Sequence, residues 1–314
     1  MPDIVGIGEP LVELAAEERG RLETVGRFRR GWGGDTFNCM VAANRMGASV
    51  GYVTRVGDDL FGRDFLARCK EEGIEGSSVL VDPTRYTGLY LIALAENGEH
   101  SFTYYRRGSA ASGLDPGDVD EDYIASARIL HTSGITQAIS DSAFAASERA
   151  TSVARRHGLL VSYDPNVRPS LRPGSFLQAL FEATAPRADV VFLSRDDIRH
   201  LYGNVDPQEV ATDLLARGPR VVVVKSGQEG CLVAARDGGL QTCPPWPIDV
   251  VDPSGGGDAF AGAFLVEWGL RGLPLRDAGH VANAVGALTV SGLGATGPIP
   301  TRVQVQEFIE RSDA

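Results

Sequence analysis

No run of the sequence is apolar for the roughly 18 residues that a membrane-spanning helix needs, which excludes a helical membrane protein. Cysteine is scarce. The four present, Cys39, Cys69, Cys231 and Cys243, are widely spaced and form no C-x-x-C, so neither a disulfide framework nor a zinc knuckle is expected. Runs of positive charge are missing too: Arg29-Arg30, Arg106-Arg107 and Arg155-Arg156 are isolated pairs in a chain of net charge −11. Such a surface repels nucleic acid and anionic lipid, and neither is expected as a partner. The five histidines (His100, His131, His157, His200, His280) show no metal-ligand spacing. The N-terminus has no basic stretch followed by an apolar core, so no secretory leader is expected, and free thiols fit a cytoplasmic location.

What the 314 residues do contain is ordinary globular material, 43% hydrophobic and 23% charged, enough for a sizeable core. From about residue 120 onward short apolar runs alternate with helical periodicity. Ile129 to His131, Leu159 to Tyr163, Val190 to Leu193 and Val221 to Lys225 read as strands, and 141–157 as a helix. That alternation predicts an α/β fold with a doubly wound, mostly parallel sheet flanked by helices. Ligands of such sheets bind beyond the carboxyl ends of the strands. The segments to inspect are therefore Asp164 to Arg168, Ser194 to Asp197, Ser226 to Gly230 and Asp252 to Asp258. The first third reads differently. Glu23 to Arg30, Thr87 to Ala95 and Ser101 to Arg107 suggest a small antiparallel β lid, with an Asn97-Gly98 hairpin turn between the last two. The expected organisation is one domain over 1–314, its lid formed by insertions near 11–32 and 86–108.

Val250 to Phe264 passes from an apolar run through Asp252-Pro253-Ser254-Gly255-Gly256-Gly257-Asp258 into a small-residue helix. Gly255, Gly256 and Gly257 at a helix start expose backbone N–H groups, and the helix dipole favours an anion there. Ser254 is placed to cap. A carboxylate beside a bound phosphate is repulsive unless it accepts a proton, which casts Asp258 as a general base. Alone, the segment is equally a tight turn with an acidic first-turn residue.

Company decides between them. The segment resembles the signature of the ribokinase-like sugar kinase family, Asp-Thr-x-Gly-Ala-Gly-Asp, with Pro253 in place of threonine and Gly256 in place of alanine. Gly31 to Gly47 resembles the family's N-terminal Gly-Gly-x-x-x-Asn-x-Ala, with Met40 in place of alanine. There glycines such as Gly34 would let backbone approach a sugar and Asp35 and Asn38 would bond hydroxyls; taken alone, Asp35 is equally a first-turn helix acid and Asn38 a helix surface residue. Val224 to Gly230 looks like the family's Lys-x-Gly-x-x-Gly loop near the phosphates, and Val281 to Ala287 like its adenine-lining helix. The resemblance implies ATP and Mg²⁺, with nucleotide contacts from Asn166, Ser194, Lys225, Gly227, Gly230 and Asn283. The family's Asn-x-x-Glu becomes Ser194-Arg195-Asp196-Asp197. Asp197 keeps a carboxylate that would act through metal-bound water, and direct metal ligands stay unassigned.

Gly8-Glu9-Pro10-Leu11-Val12, Thr87 to Tyr90, Tyr104 to Ser112 and Asp164 to Arg168 resemble the 2-keto-3-deoxygluconate kinases within that family. This implies transfer to the 6-hydroxyl of a sugar acid, with substrate contacts from Gly34, Tyr90, Tyr104, Arg106 and Arg168. Arginine suits a carboxylate because its planar fork makes paired bonds; Arg168 has ATP phosphate as an alternative partner. A fructokinase or other ketose kinase, and a silent sugar-binding sensor of the same fold, are the competing readings. A homo-oligomer is expected from the same resemblance. Gly6-Ile7-Gly8 invites a dinucleotide reading, which fails because Leu11 stands where the third glycine belongs.

Overall fold

In the computed structural model, which describes residues 1–94 and 100–312, the strands divide between two sheets. They are β1 (Ile4–Ile7), β2 (Leu11–Ala16), β3 (Phe28–Gly33), β4 (Val50–Gly57), β5 (Val79–Asp82), β6 (Leu89–Leu94) and β7 (His100–Tyr105), then β8 (Ile129–Ser133), β9 (Leu160–Asp164), β10 (Val190–Ser194), β11 (Val221–Lys225), β12 (Cys231–Ala235) and β13 (Gly239–Cys243). The large sheet runs β13-β12-β11-β10-β9-β8-β1-β4-β5, parallel from β11 to β5 and antiparallel at β12 and β13. Val221 to Val224 are all buried, as a β-branched run in a sheet covered on both faces should be.

Two apolar layers cover that sheet. One holds Phe37, Met40, Phe260 and Phe264 from the helices Asp35–Arg45 and Gly256–Phe264. Each fully buried phenylalanine there is worth roughly 2–3 kcal/mol. The other holds Ala143, Ala146, Ala150 and Val153 from the helix Asp141–Arg156. Ser140 caps that helix onto the Ala143 N–H at 3.0 Å, and Gly158 follows it at φ 73°. Met40, the departure from the N-terminal signature, is accommodated by Gly6: a Cβ there would stand 2.6 Å from Met40 Cγ.

The smaller sheet is ordered β3-β2-β6-β7. Its outer pairs are antiparallel, whereas the central pair β2–β6 is parallel. β3 begins at Phe28 rather than Glu23: residues 22–24 form a turn, with the Val25 N–H bonded to the Arg21 carbonyl at 3.1 Å. The expected Asn97-Gly98 turn lies outside the described residues. All four cysteines are buried free thiols.

The strand order reverses beside β1. The chain first adds β4 and β5 on one side, then returns to place β8 on the other. The crevice above β1 and β8 is thus the topological switch point of the sheet, where ligands of open α/β sheets collect.

Candidate functional site

The two glycine-rich signatures meet across 220 residues of sequence. Gly262 makes this possible, because any Cβ on it would lie 2.2 Å from the Cys39 carbonyl oxygen. Asn38 Nδ2 then donates to Asp258 Oδ2 at 2.9 Å, and Asn166 Nδ2 reaches Oδ1 at 3.4 Å. Asn166 sits at φ 38°, in the left-handed region that asparagine tolerates better than most side chains.

Burial pushes the Asp258 carboxyl up to about 7, helped by the neighbouring Asp35 charge and opposed by Lys225 and the Asn38 bond. Burial likewise raises Asp35, against the Ser133 hydroxyl and the Arg106 charge. Two carboxyls in one low-dielectric crevice resist ionising together. Asp35 Oδ2 and Asn38 Oδ1 are buried without a hydrogen-bond partner among the described residues.

Gly255 adopts φ 75° at the start of the helix Gly256–Phe264 and caps it with no side chain. Ser254 does not cap: its Oγ is buried with no partner among the described residues, while its N–H turns back to Asp252 Oδ1 at 2.9 Å. First-turn N–H groups of a helix have no intrahelical acceptor, so those of Gly256, Gly257 and Asp258 stay open to a ligand. Gly256 packs on the helix Leu275–Val290, where a Cβ would meet Val290 Cγ1 at 2.5 Å. The glycine that replaces the signature alanine is therefore matched to a larger neighbour.

Lys225, at the end of β11, pairs with Asp164 at the end of β9 and reaches the Gly257 carbonyl at 3.4 Å. Burial opposes its charge, but Asp164 and then Asp258 outweigh that and hold Lys225 above its usual value. Beside it opens a cavity of about 900 Å³, bordered by Lys225, Gly227, Gly230, Gly256, Gly257 and Asn283. Its apolar wall comes from Trp246, Ile248, Val250 and Val290. The size suits a nucleotide, and Lys225, Gly256 and Gly257 are part of its border.

On the other side of Asp258 lie the smaller sheet's residues. Tyr104 stacks on Tyr90 with ring centroids 5.6 Å apart. Burial raises the Tyr104 phenol, Arg168 and Arg106 pull it down, and Asp35 and Asp258 push it up. Tyr104 thus stands among all four charges. Arg106 is paired with the buried Glu9, while Arg168, among the described residues, bonds only the adjacent Val167 carbonyl, at 3.0 Å. Gly34, at φ 112°, presses on the Glu9 carbonyl, which a Cβ would meet at 2.2 Å.

Several expected contacts are placed otherwise. Tyr90 donates its hydroxyl to the buried Glu13, leaving its ring to support Tyr104. Asn166 turns to Asp258, and Ser194 is taken by a capping box with Asp197, so neither borders the cavity. Asp197 Oδ1 accepts the Val167 N–H at 2.7 Å and Oδ2 the Ser194 N–H and hydroxyl at 2.7 and 2.6 Å. With both oxygens bonded, Asp197 is a helix cap that also fixes the loop carrying Arg168. Asn283 borders the cavity but spends its amide on the Cys243 and Pro244 carbonyls, at 3.2 and 2.9 Å.

Sequence reading missed Glu13 and the Trp246 loop. Glu13, pushed up to about 7 by burial, accepts the Ala295 N–H at 3.2 and 3.1 Å. Its one sequence signal is a carboxylate within the apolar strand Leu11-Val12-Glu13-Leu14-Ala15-Ala16.

A putative ribokinase II from E. coli, solved with ATP and Mg²⁺, superposes with a TM-score of 0.91 at 25% identity, over 99% of this chain and 100% of that one. The fold is therefore ribokinase-like. The 2-dehydro-3-deoxygluconokinase of Thermoproteus tenax is 35% identical over 99% of this chain and 95% of its own length. The probable fructokinase-5 of Arabidopsis thaliana is 30% identical over 98% of both. The family model described as pfkB family carbohydrate kinase matches residues 1–302. The chain belongs to that family and is a carbohydrate kinase.

Proposed function

We propose that this kinase transfers the γ-phosphoryl group of ATP to the 6-hydroxyl of 2-keto-3-deoxygluconate. The observation that carries the chemistry is Asp258, a carboxylate pushed up to about 7 beside open helix N–H groups. A base of that pKa removes a hydroxyl proton efficiently near neutral pH. The acceptor hydroxyl donates to Asp258, while the N–H groups of 256–258 and the Lys225 ammonium hold charge on the transferred group. Asn38 and Asn166 orient the carboxylate. The unpartnered Asp35 Oδ2 and Asn38 Oδ1 suit a ligand rich in hydroxyls.

The cavity beside Lys225 fits ATP. When bound, Mg²⁺ would supply charge neutralisation to the phosphates. Among the described residues no group of three carboxylate, thiol or imidazole side chains is placed for a metal, which fits an ion carried mainly by phosphate and water.

Arg168, with no carboxylate partner among the described residues, favours a sugar acid, as does the name of the Thermoproteus relative. The Arabidopsis relative keeps a ketose as the second reading. A cytoplasmic homo-oligomer completes the proposal. It is supported by the exposure of Tyr86 and Tyr105 around the smaller sheet, which acts as the lid, and light scattering tests it. Among the described residues no helix is long and apolar enough to cross a membrane.

Coupled ADP release with 2-keto-3-deoxygluconate, its C4 epimer, fructose and ribose tests the substrate. Turnover of fructose alone would overturn the sugar-acid reading. Asp258→Asn should lower kcat by about 10²–10⁴-fold with ATP binding retained; unchanged turnover would remove Asp258 as the base.

A further inference from the structure

Glu9 stands at the carboxyl end of β1, at the switch point, with its side chain fully buried. A carboxylate is costly to bury unless its partners are fixed around it. Here each oxygen holds a different part of one turn. Oε2 takes Nε of Arg106 at 2.7 Å and ion-pairs with its Nη2, while Oε1 accepts the Ser109 hydroxyl at 2.5 Å. The Ser109 N–H closes that turn on the Arg106 carbonyl at 3.1 Å. Gly88 clears the approach, since a Cβ there would stand 2.9 Å from Oε1. The Glu9 backbone carbonyl in turn presses on Gly34.

Charge follows geometry. Paired in a buried site, Arg106 presents a fixed guanidinium edge whose positive charge Glu9 largely cancels. Arg168 faces the same crevice with no carboxylate within bonding distance among the described residues.

We propose that Glu9 is the positioning residue of the sugar site. It fixes the Arg106 edge for shape recognition and cancels its charge, leaving Arg168 as the cation that selects an anionic sugar. The assignment of Arg168 rests on the sugar-acid reading; the coupling of Glu9 to Arg106 does not.

A double-mutant cycle tests the coupling, run on whichever panel sugar is turned over fastest. Glu9→Gln and Arg106→Gln should each lower kcat/KM by about 10–100-fold, mainly through KM. The double variant should then be no worse than the weaker single variant by more than about threefold. Losses that multiply in the double variant would give Glu9 a structural role independent of Arg106 and overturn the proposal. Should Glu9→Gln fail to melt as a folded protein, Ser109→Ala replaces it in the same cycle, with the same outcomes. The ionic-strength dependence of KM for the sugar acid tests the division of labour. Arg168→Gln should abolish it and Arg106→Gln should keep it; the reverse overturns the assignment. A wild-type enzyme that ignores sugar acids refutes both the substrate reading and the role of Arg168, and the cycle still decides the role of Glu9.

Discussion

Replacing Asp258 by asparagine should stabilise the protein while silencing it, and the gain should depend on pH. The carboxyl is raised from 3.8 to about 7. Below the lower value both folded and unfolded chains are protonated there, and folding carries no penalty. Between the two values the unfolded chain ionises first, so stability falls by about 1.4 kcal/mol per pH unit. Above about 7 the loss is complete and constant. The full interval corresponds to roughly 4 kcal/mol, and water reaching the crevice trims it to about 2–4 kcal/mol. Asparagine escapes this loss and also relieves Asp35 of a neighbouring charge. Its amide can donate to the unpartnered Asn38 Oδ1 while accepting from Asn166. The assay is thermal melting of both proteins at pH 5 and pH 8. At about 2 °C per kcal/mol for a chain of this size, the advantage of Asp258→Asn should grow by several degrees toward the higher pH. An equal shift at both pH values, or a less stable variant, would refute the idea that Asp258 is held in a costly state.

Three further outcomes are expected. In the wild type, kcat/KM should rise with pH through about 7 as Asp258 deprotonates, and Asp35→Asn should move that midpoint down by removing a like charge; a pH–rate profile reads both. Gly256→Ala should cost about 1–3 kcal/mol in urea denaturation through contact with Val290, and Gly256→Ala with Val290→Ala should recover most of it. Lys225→Met should raise the KM for ATP and destabilise by about 3 kcal/mol, because it leaves Asp164 buried and unpaired; adding Asp164→Asn should restore stability in a melting experiment but not the KM.

The large sheet was legible because its strands are written locally, as in the four consecutive valines of β11. The Asp258 segment was legible because a glycine run at a strand-to-helix junction constrains backbone whatever surrounds it. Side-chain direction was not. Tyr90 and Tyr104 alternate with ordinary strand residues, and only the buried Glu13 explains why one hydroxyl points away from the crevice. Ser194 and Asp197 have the spacing of a capping box, S-x-x-D, and the structure forms one there. Arg106 and Arg168 read alike in sequence. They differ through Glu9, 97 positions before Arg106, a contact no local pattern records.

Glu13 has a consequence for how the enzyme comes into being. Its bonds to Ala295 span 282 positions, and the Tyr90 hydroxyl it accepts lies 77 positions on. A chain emerging from the ribosome therefore carries Glu13 long before the groups that hold its carboxylate in the folded protein have been made. A product ending before Leu293 would hold every glycine of the 255–257 turn and Asp258 itself. It would still lack the peptide that joins Glu13 to the back of that turn, where the Ala295 carbonyl lies against Gly255. Glu13 thus joins the smaller sheet to the 255–257 turn only once both have been made, and a chain lacking Ala295 leaves that joint unmade.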